Sequence, residues 1–169
     1  MWDSFHDVHG SEMKGARMRL TPFAAMMIIA VLLIGGVASA APEKDPLRPR
    51  VPADQMEGAK KLSTPLFKDS RQAPAKMLEE GKALYEGKGT CFNCHGKAGK
   101  GDGVAGAMLD PGPRNFANCD FHAKKTDGEL FWVMKNGIQG TGMMALTPMV
   151  VTEEEAWKTI AYLRTFCKS

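Results

Sequence analysis

Cys91-Phe92-Asn93-Cys94-His95 is the stretch that decides how the rest of the chain is read. Two thiols three positions apart, with an imidazole on the following residue, form the pattern by which a haem is fixed covalently to a polypeptide. Each thiol adds to one vinyl group, and two intervening residues let a single tight turn reach both vinyls on one haem edge. The next side chain, His95, then comes under the iron as an axial ligand. Two other readings of the motif fail on its surroundings. A dithiol redox pair needs a strand ahead of it, and Gly87-Lys88-Gly89-Thr90 is a poor strand former. A zinc site needs further ligands at short spacing, and the later candidates Cys119, His122 and Cys167 are scattered. The pentapeptide thus predicts one covalent haem c held by Cys91, Cys94 and His95.

Downstream, a sixth ligand for the iron is sought in Gly140-Thr-Gly-Met143-Met144-Ala-Leu-Thr-Pro-Met149. A thioether sulfur is soft and neutral, and as an axial ligand it raises the potential. Glycine and proline let such a loop present sulfur free of helical constraint. Met143, Met144 and Met149 compete for the role. Met143, after the flexible Gly-Thr-Gly, is the first choice and Met144 the second; His122 or an open position are the remaining options. Any of the three methionines not used so would fill core.

Helices flank both sites. Pro74 opens an amphipathic helix over Ala75 to Glu86, with Met77, Leu78, Gly81, Leu84 and Tyr85 as its apolar or small positions. Gly81 inside that helix calls for a closely packed neighbour. Capping boxes at Thr126–Glu129 and Thr152–Glu155 open two more helices. The last is predicted to bury Ala156, Trp157, Ile160, Ala161 and Leu163. Between the haem motif and the second helix, the glycine-rich run Gly96 to Ala107 lacks the preceding strand of a phosphate loop, and reads as backbone folded closely around a flat cofactor. Met108 and Leu109 would turn inward after it. The turn-rich corner Asp110-Pro-Gly-Pro-Arg-Asn-Phe116 offers a carbonyl, of Gly112 or Pro113, to the second ring nitrogen of His95. There Arg114 is placed to reach a haem propionate, and Phe116 to pack on the haem rim.

Upstream, Ala41 to Ala73 carries Pro42, Pro46, Pro49, Pro52 and Pro65 among charges, and reads as an extended leader without regular helix. Ahead of it, Lys14, Arg17 and Arg19 precede an apolar run from Phe23 to Val37 that ends in Ala38-Ser39-Ala40. That is the pattern of an export signal cleaved after Ala40; kept, the same segment is just long enough to anchor in a membrane. The division expected is residues 1–40 signal or anchor, 41–73 leader and 74–169 folded domain. With 169 residues and a formal charge of +3, which two haem propionates would roughly cancel, nothing points to nucleic acid.

Helix, CxxCH, proline corner, helix, Met loop and terminal helix, over about residues 74–169, resemble a small monohaem class I cytochrome c of the bacterial periplasm. Cys91, Cys94 and His95 carry the resemblance, with Gly81/Tyr85 in the first helix, Ile160-Ala-Tyr-Leu163 in the last and Gly-Thr-Gly-Met143 in the axial loop, where Met144 stands in place of the family's usual proline. It implies an all-α fold of three to five helices around one haem, with the first and last helices crossing at Gly81. The expected function is single-electron transfer through a His95/Met143-ligated low-spin haem, without side-chain catalysis. The redox partners would be protein: a respiratory dehydrogenase or reductase and an oxidase. A fixed subunit of a membrane-bound oxidoreductase is the second reading, and a haem enzyme or gas sensor with an open sixth position the third. Membrane contact is expected only if the N-terminal segment is uncleaved. Outside the cytoplasm the leftover Cys119 and Cys167 would pair as a disulfide. Lys88, Lys97, Lys100, Lys124 and Lys125 are candidates to steer an acidic partner.

Overall fold

A computed structural model describes residues 47–167. The signal or anchor segment expected over residues 1–40 lies outside the described residues. Among those described, no helix is long and apolar enough to cross a membrane.

The described chain is helical, without strands. Its α-helices are α1 (Met56–Lys61), α2 (Ala75–Glu86), α3 (Phe92–His95), α4 (Cys119–Lys124), α5 (Asp127–Asn136) and α6 (Glu153–Leu163). That is six among the described residues rather than three to five. The additions are short: α1 arises in the leader, and α4 is a six-residue turn capped by the Asn118 side chain. Both expected capping boxes are present, with Thr126 and Glu129 opening α5 and Thr152 and Glu155 opening α6.

The frame is the crossing of α2 on α6. Gly81 faces the α6 backbone so closely that a Cβ there would sit 2.2 Å from the Lys158 carbonyl oxygen. Lys158 spans the crossing, its Nζ 2.8 Å from Glu80 and 2.6 Å from Glu154. Tyr85, fully buried one turn on, packs edge-on against Tyr162 and donates its hydroxyl to the Gly96 carbonyl at 2.7 Å. That bond ties the helix crossing to the residue after His95. The predicted buried face of α6 is buried as read, and Trp157 stacks on Phe131 of α5 with ring centroids 4.3 Å apart.

The leader departs from expectation. Residues 47–73 are not simply extended: Val51, Ala59 and Ser70 are buried, and α1 packs on α5. The twelve residues between Pro52 and Pro65 contain no proline, so a short helix is free to form there, and the Pro52 carbonyl accepts the Gln55 N–H at 3.0 Å ahead of it. Gly128 lets the end of α1 approach α5, since a Cβ at that position would meet the Ala59 carbonyl at 2.2 Å. Trp132 donates its indole N–H to Gln55 at 3.2 Å. The packed chain therefore begins well before Pro74.

A buried polar cluster fastens the leader further. Arg164 pairs with Asp127 at 2.6 Å and donates to the Nδ1 of His122 at 3.1 Å. An arginine can only donate, so Nδ1 of His122 is the acceptor and Nε2–H is donated to the Phe116 carbonyl at 2.5 Å. Arg71 of the leader donates to the His122 carbonyl at 2.7 Å, and Asp127 accepts the Ser70 N–H at 3.3 Å. Burial lowers the His122 pKa, the Arg164 and Arg71 charges lower it further, and the Phe116 carbonyl and Asp127 pull the other way. A histidine whose folded pKa lies below its unfolded one stabilises fully above the unfolded value, ~6.5, and loses that contribution as pH falls. Thermal stability is accordingly expected to drop as the solution is taken from about pH 7 to about pH 5. His122→Gln should cost about 1–3 kcal/mol near neutrality and flatten that slope in a melting series against pH.

Candidate haem site

Cys91, Cys94 and His95 line a single cleft together with Met143 and Met144. Its volume, about 310 Å³, falls within the range of ~300–1,000 Å³ usual for small-molecule sites. Leu130, Val133 and Met134 of α5 and Leu163 of α6 contribute apolar walls, as do Phe116, Phe121 and Leu146.

The motif is presented by one turn of helix. Cys91 caps α3 with helical backbone, and Gly96 ends it at a positive φ of 77°. Burial pushes the Cys91 thiol up to about 11. A redox-active dithiol needs the reverse, a lowered pKa that supplies thiolate. Among the described residues no group of three His, Cys, Asp or Glu side chains could hold a metal ion. Neither competing reading of the motif has support in the geometry.

His95 is oriented by its second nitrogen. Its Nδ1 lies 3.0 Å from the Arg114 carbonyl and donates to it, one or two residues along from the expected Gly112 or Pro113. The correction is one of register: the corner turns so that Arg114 presents its oxygen, while Pro113 lines the cleft and its carbonyl lies against Gly101. Nε2 is left as the nitrogen with a free lone pair. Desolvation lowers the His95 pKa to about 4, with the Arg114 carbonyl pulling it upward, so the ring is neutral at physiological pH and able to ligate. Phe116 is buried and stacks on the imidazole, ring centroids 4.4 Å apart at 20°. It thus holds the plane of the ring as well as lining the cleft.

The methionines separate by exposure. Met143 is partly buried against the core, Met144 is 67% exposed at the cleft, and Met149 is 90% exposed and no part of it. The loop is closed by Met143 itself. Its carbonyl accepts the Ile138 N–H at 2.8 Å, and its N–H donates to the Thr141 hydroxyl at 3.1 Å. His122, with both ring nitrogens committed to Arg164 and Phe116, does not line the cleft.

Arg114 lines the cleft, its guanidinium donating to the Arg48 carbonyl and lying 5.9 Å from the Phe121 ring. Other expectations need correcting. Met108 turns outward at 95% exposure, while Leu109 lines the cleft. The glycine-rich run presses on the motif's own backbone: a Cβ at Gly103 would meet the Asn93 carbonyl at 2.3 Å. Of the five lysines, Lys88 is paired with Glu155 at 2.7 Å, and Lys125 is nearly buried beside Glu129 at 3.4 Å in the cleft wall. Lys97, Lys100 and Lys124 remain exposed. Glu129 was legible only as a capping residue, because nothing local marks a helix-start carboxylate as cleft-lining. Cys119 and Cys167 are joined, with Cα atoms 5.1 Å apart.

The donor set fits a haem c: two thiols and a neutral imidazole on one turn, a thioether in the same cleft, and apolar walls between. The family model described as cytochrome c oxidase, cbb3-type, subunit III matches residues 76–163, a little over half of the chain. No curated protein matches. Among solved structures, a chain of the Kuenenia stuttgartiensis reducing HAO-like protein complex is similar at 25% identity with a TM-score of 0.49. The similarity covers 56% of this chain and 46% of that one, so the chain spans under half of that neighbour's length.

Proposed function

The chain belongs to the c-type cytochrome family described as cytochrome c oxidase, cbb3-type, subunit III, and carries one covalently bound haem c; from that premise we propose that it passes single electrons between redox proteins through a His95/Met143-ligated iron. The observation that carries this reading is the single cleft shared by Cys91, Cys94, His95 and Met143. The haem supplies one-electron Fe(III)/Fe(II) chemistry. The protein's part is to hold and insulate it. Cys91 and Cys94 tether the cofactor. His95, its Nδ1–H given to Arg114, offers Nε2, and Phe116 keeps the imidazole plane fixed. Met143 offers sulfur, which raises the potential and keeps small ligands away. The walls from α5 and α6 exclude water.

The site of action is outside the cytoplasm, in the periplasm. The export-type N-terminus supports this, as does the pairing of Cys119 with Cys167, which persists in an oxidising compartment. Closing that 48-residue separation contributes about 4 kcal/mol by chain entropy. Partners are respiratory redox proteins. The family's description as an oxidase subunit also favours a second reading, a fixed electron-transfer subunit of a membrane-bound complex. Copurification and a need for detergent would separate that from a free carrier.

The test is protein exported with the haem-attachment machinery, examined by intact mass and by a reduced-minus-oxidised spectrum with and without carbon monoxide. One added haem and a low-spin reduced form indifferent to carbon monoxide are expected. A mass without haem would refute the reading. Rapid carbon monoxide binding would instead favour an open sixth position and a sensor or enzyme.

A further inference from the structure

His122 lines no part of the haem cleft, yet it is buried with both ring nitrogens committed. Stability alone does not require this, because an apolar side chain of similar volume fills such a space without burying an imidazole beside a guanidinium. What the arrangement adds is direction. Arg164 donates to Nδ1 at 3.1 Å and to the His122 carbonyl at 3.2 Å, which fixes the ring and leaves its proton on Nε2. That proton is donated to the Phe116 carbonyl. On the other side of the same residue, the Phe116 N–H donates to the Gly99 carbonyl. Gly99 lies so close under the Phe166 ring that a Cβ there would meet it at 2.8 Å. The main chain of Phe116 is thus gripped from both sides, and its ring stacks on His95 with centroids 4.4 Å apart. A covalent link closes the grip: Cys119 begins α4, which carries His122, and is bonded to Cys167, the residue after Phe166.

We infer that His122 is a positioning residue for the axial histidine: by holding the Phe116 carbonyl it sets the ring against which the His95 imidazole is aligned. The inference rests on the electron-carrier reading and extends it to a side chain outside the cleft. His95 has its Nδ1–H on the Arg114 carbonyl and offers Nε2 to the iron. Those two bonds lie roughly along one line through the ring, so they fix its direction and leave rocking about that line to be restrained by packing. Phe116, stacked at 20°, is the flat surface that restrains it. Looseness at Phe116 therefore reaches the iron as a spread of imidazole planes.

The experiment uses the full-length holoprotein, native and as His122→Gln, His122→Asn and Phe116→Leu. A glutamine amide nitrogen stands near the place of Nε2 and keeps a donor for the Phe116 carbonyl; the shorter asparagine places its amide near Nδ1 and does not. Both remove the imidazole and both should lower the melting temperature, so stability does not separate them. The plane of an axial imidazole orients the magnetic axes of low-spin Fe(III), so electron paramagnetic resonance of the oxidised protein reads the spread of planes. Hydrogen exchange at the Phe116 amide reads the grip. His122→Asn should broaden the low-spin signal and accelerate Phe116 exchange at least about tenfold. His122→Gln should keep both close to native, and Phe116→Leu should broaden the signal. The positioning role is overturned if His122→Asn keeps the native line width, if His122→Gln broadens it as far, or if Phe116→Leu leaves it unchanged. Should His122→Asn fail to fold, His122→Met, of similar volume and without a donor, takes its place with the same outcomes. A native preparation lacking covalent haem would overturn the carrier reading itself, and Phe116 exchange would still show whether His122 holds that residue.

Discussion

Met143→Ala is expected to abolish the Fe–S charge-transfer band at the red end of the oxidised spectrum, to lower the potential, and to open the reduced iron to carbon monoxide. Axial ligands set haem potentials over a span of ~0.8 V, so the change should be a large one on the scale of any other single substitution here. The structure makes the experiment clean. The loop is held by the main chain of Met143, through Ile138 N–H and the Thr141 hydroxyl, and alanine keeps both bonds. What is removed is the sulfur. Met149→Ala should leave the spectrum untouched, since Met149 stands clear of the cleft at 90% exposure. Met144 lines the cleft but is mostly exposed, and its alanine variant serves as the direct competitor. A band retained in Met143→Ala and lost in Met144→Ala would move the ligand by one residue and leave the rest of the site as described.

The second large effect is expected at Gly81→Leu. Leucine is the better helix former by roughly 1 kcal/mol, so an isolated α2 would gain from the change. The folded protein loses, because the first added carbon already sits 2.2 Å from the Lys158 carbonyl and 2.9 Å from Cβ of Tyr162. Backbone cannot rotate away as a side chain can. Either α2 and α6 separate or the crossing slides, and both break the packing of Tyr85 on Tyr162 and strain the Lys158 bridges to Glu80 and Glu154. Overpacking of this kind costs about 1–3 kcal/mol and occasionally more, and a backbone clash belongs at the upper end. For a domain of this size the melting temperature should fall by about 4 °C per kcal/mol. A calorimetric scan showing no change would mean that the two helices do not meet at Gly81. The Tyr85–Gly96 hydrogen bond links this crossing to the haem motif, so disorder at the crossing should also broaden the low-spin spectrum.

How much of this was legible beforehand follows from the range of the interactions concerned. The pentapeptide 91–95, the capping boxes at Thr126 and Thr152, and the buried face of α6 are local patterns. A thiol spacing, a hydroxyl three residues before a carboxylate, or a 3.6-residue apolar period acts within one or two turns of chain, and each appears in the structure where it was read. Gly81 was legible too, because a helix-weakening residue amid good formers needs a packing reason. The two largest misreadings depend on residues far apart. Proline content made 41–73 look extended, but α1 is held by burial of Ala59 on α5 and by contacts with residues some seventy positions later. His122 stood as a possible ligand until Arg164 and Phe116 claimed its two nitrogens.

Sequence alone located the CxxCH pentapeptide, the histidine that closes it, and the capped starts of α5 and α6. These are decided between near neighbours, whose separation the chain itself limits. Tertiary structure decided which carbonyl orients His95, which methionine sits against the core, and that a leader segment helps wall the cleft. Those depend on how helices pack, and packing is settled by excluded volume and burial summed over the whole domain rather than by any one stretch of it.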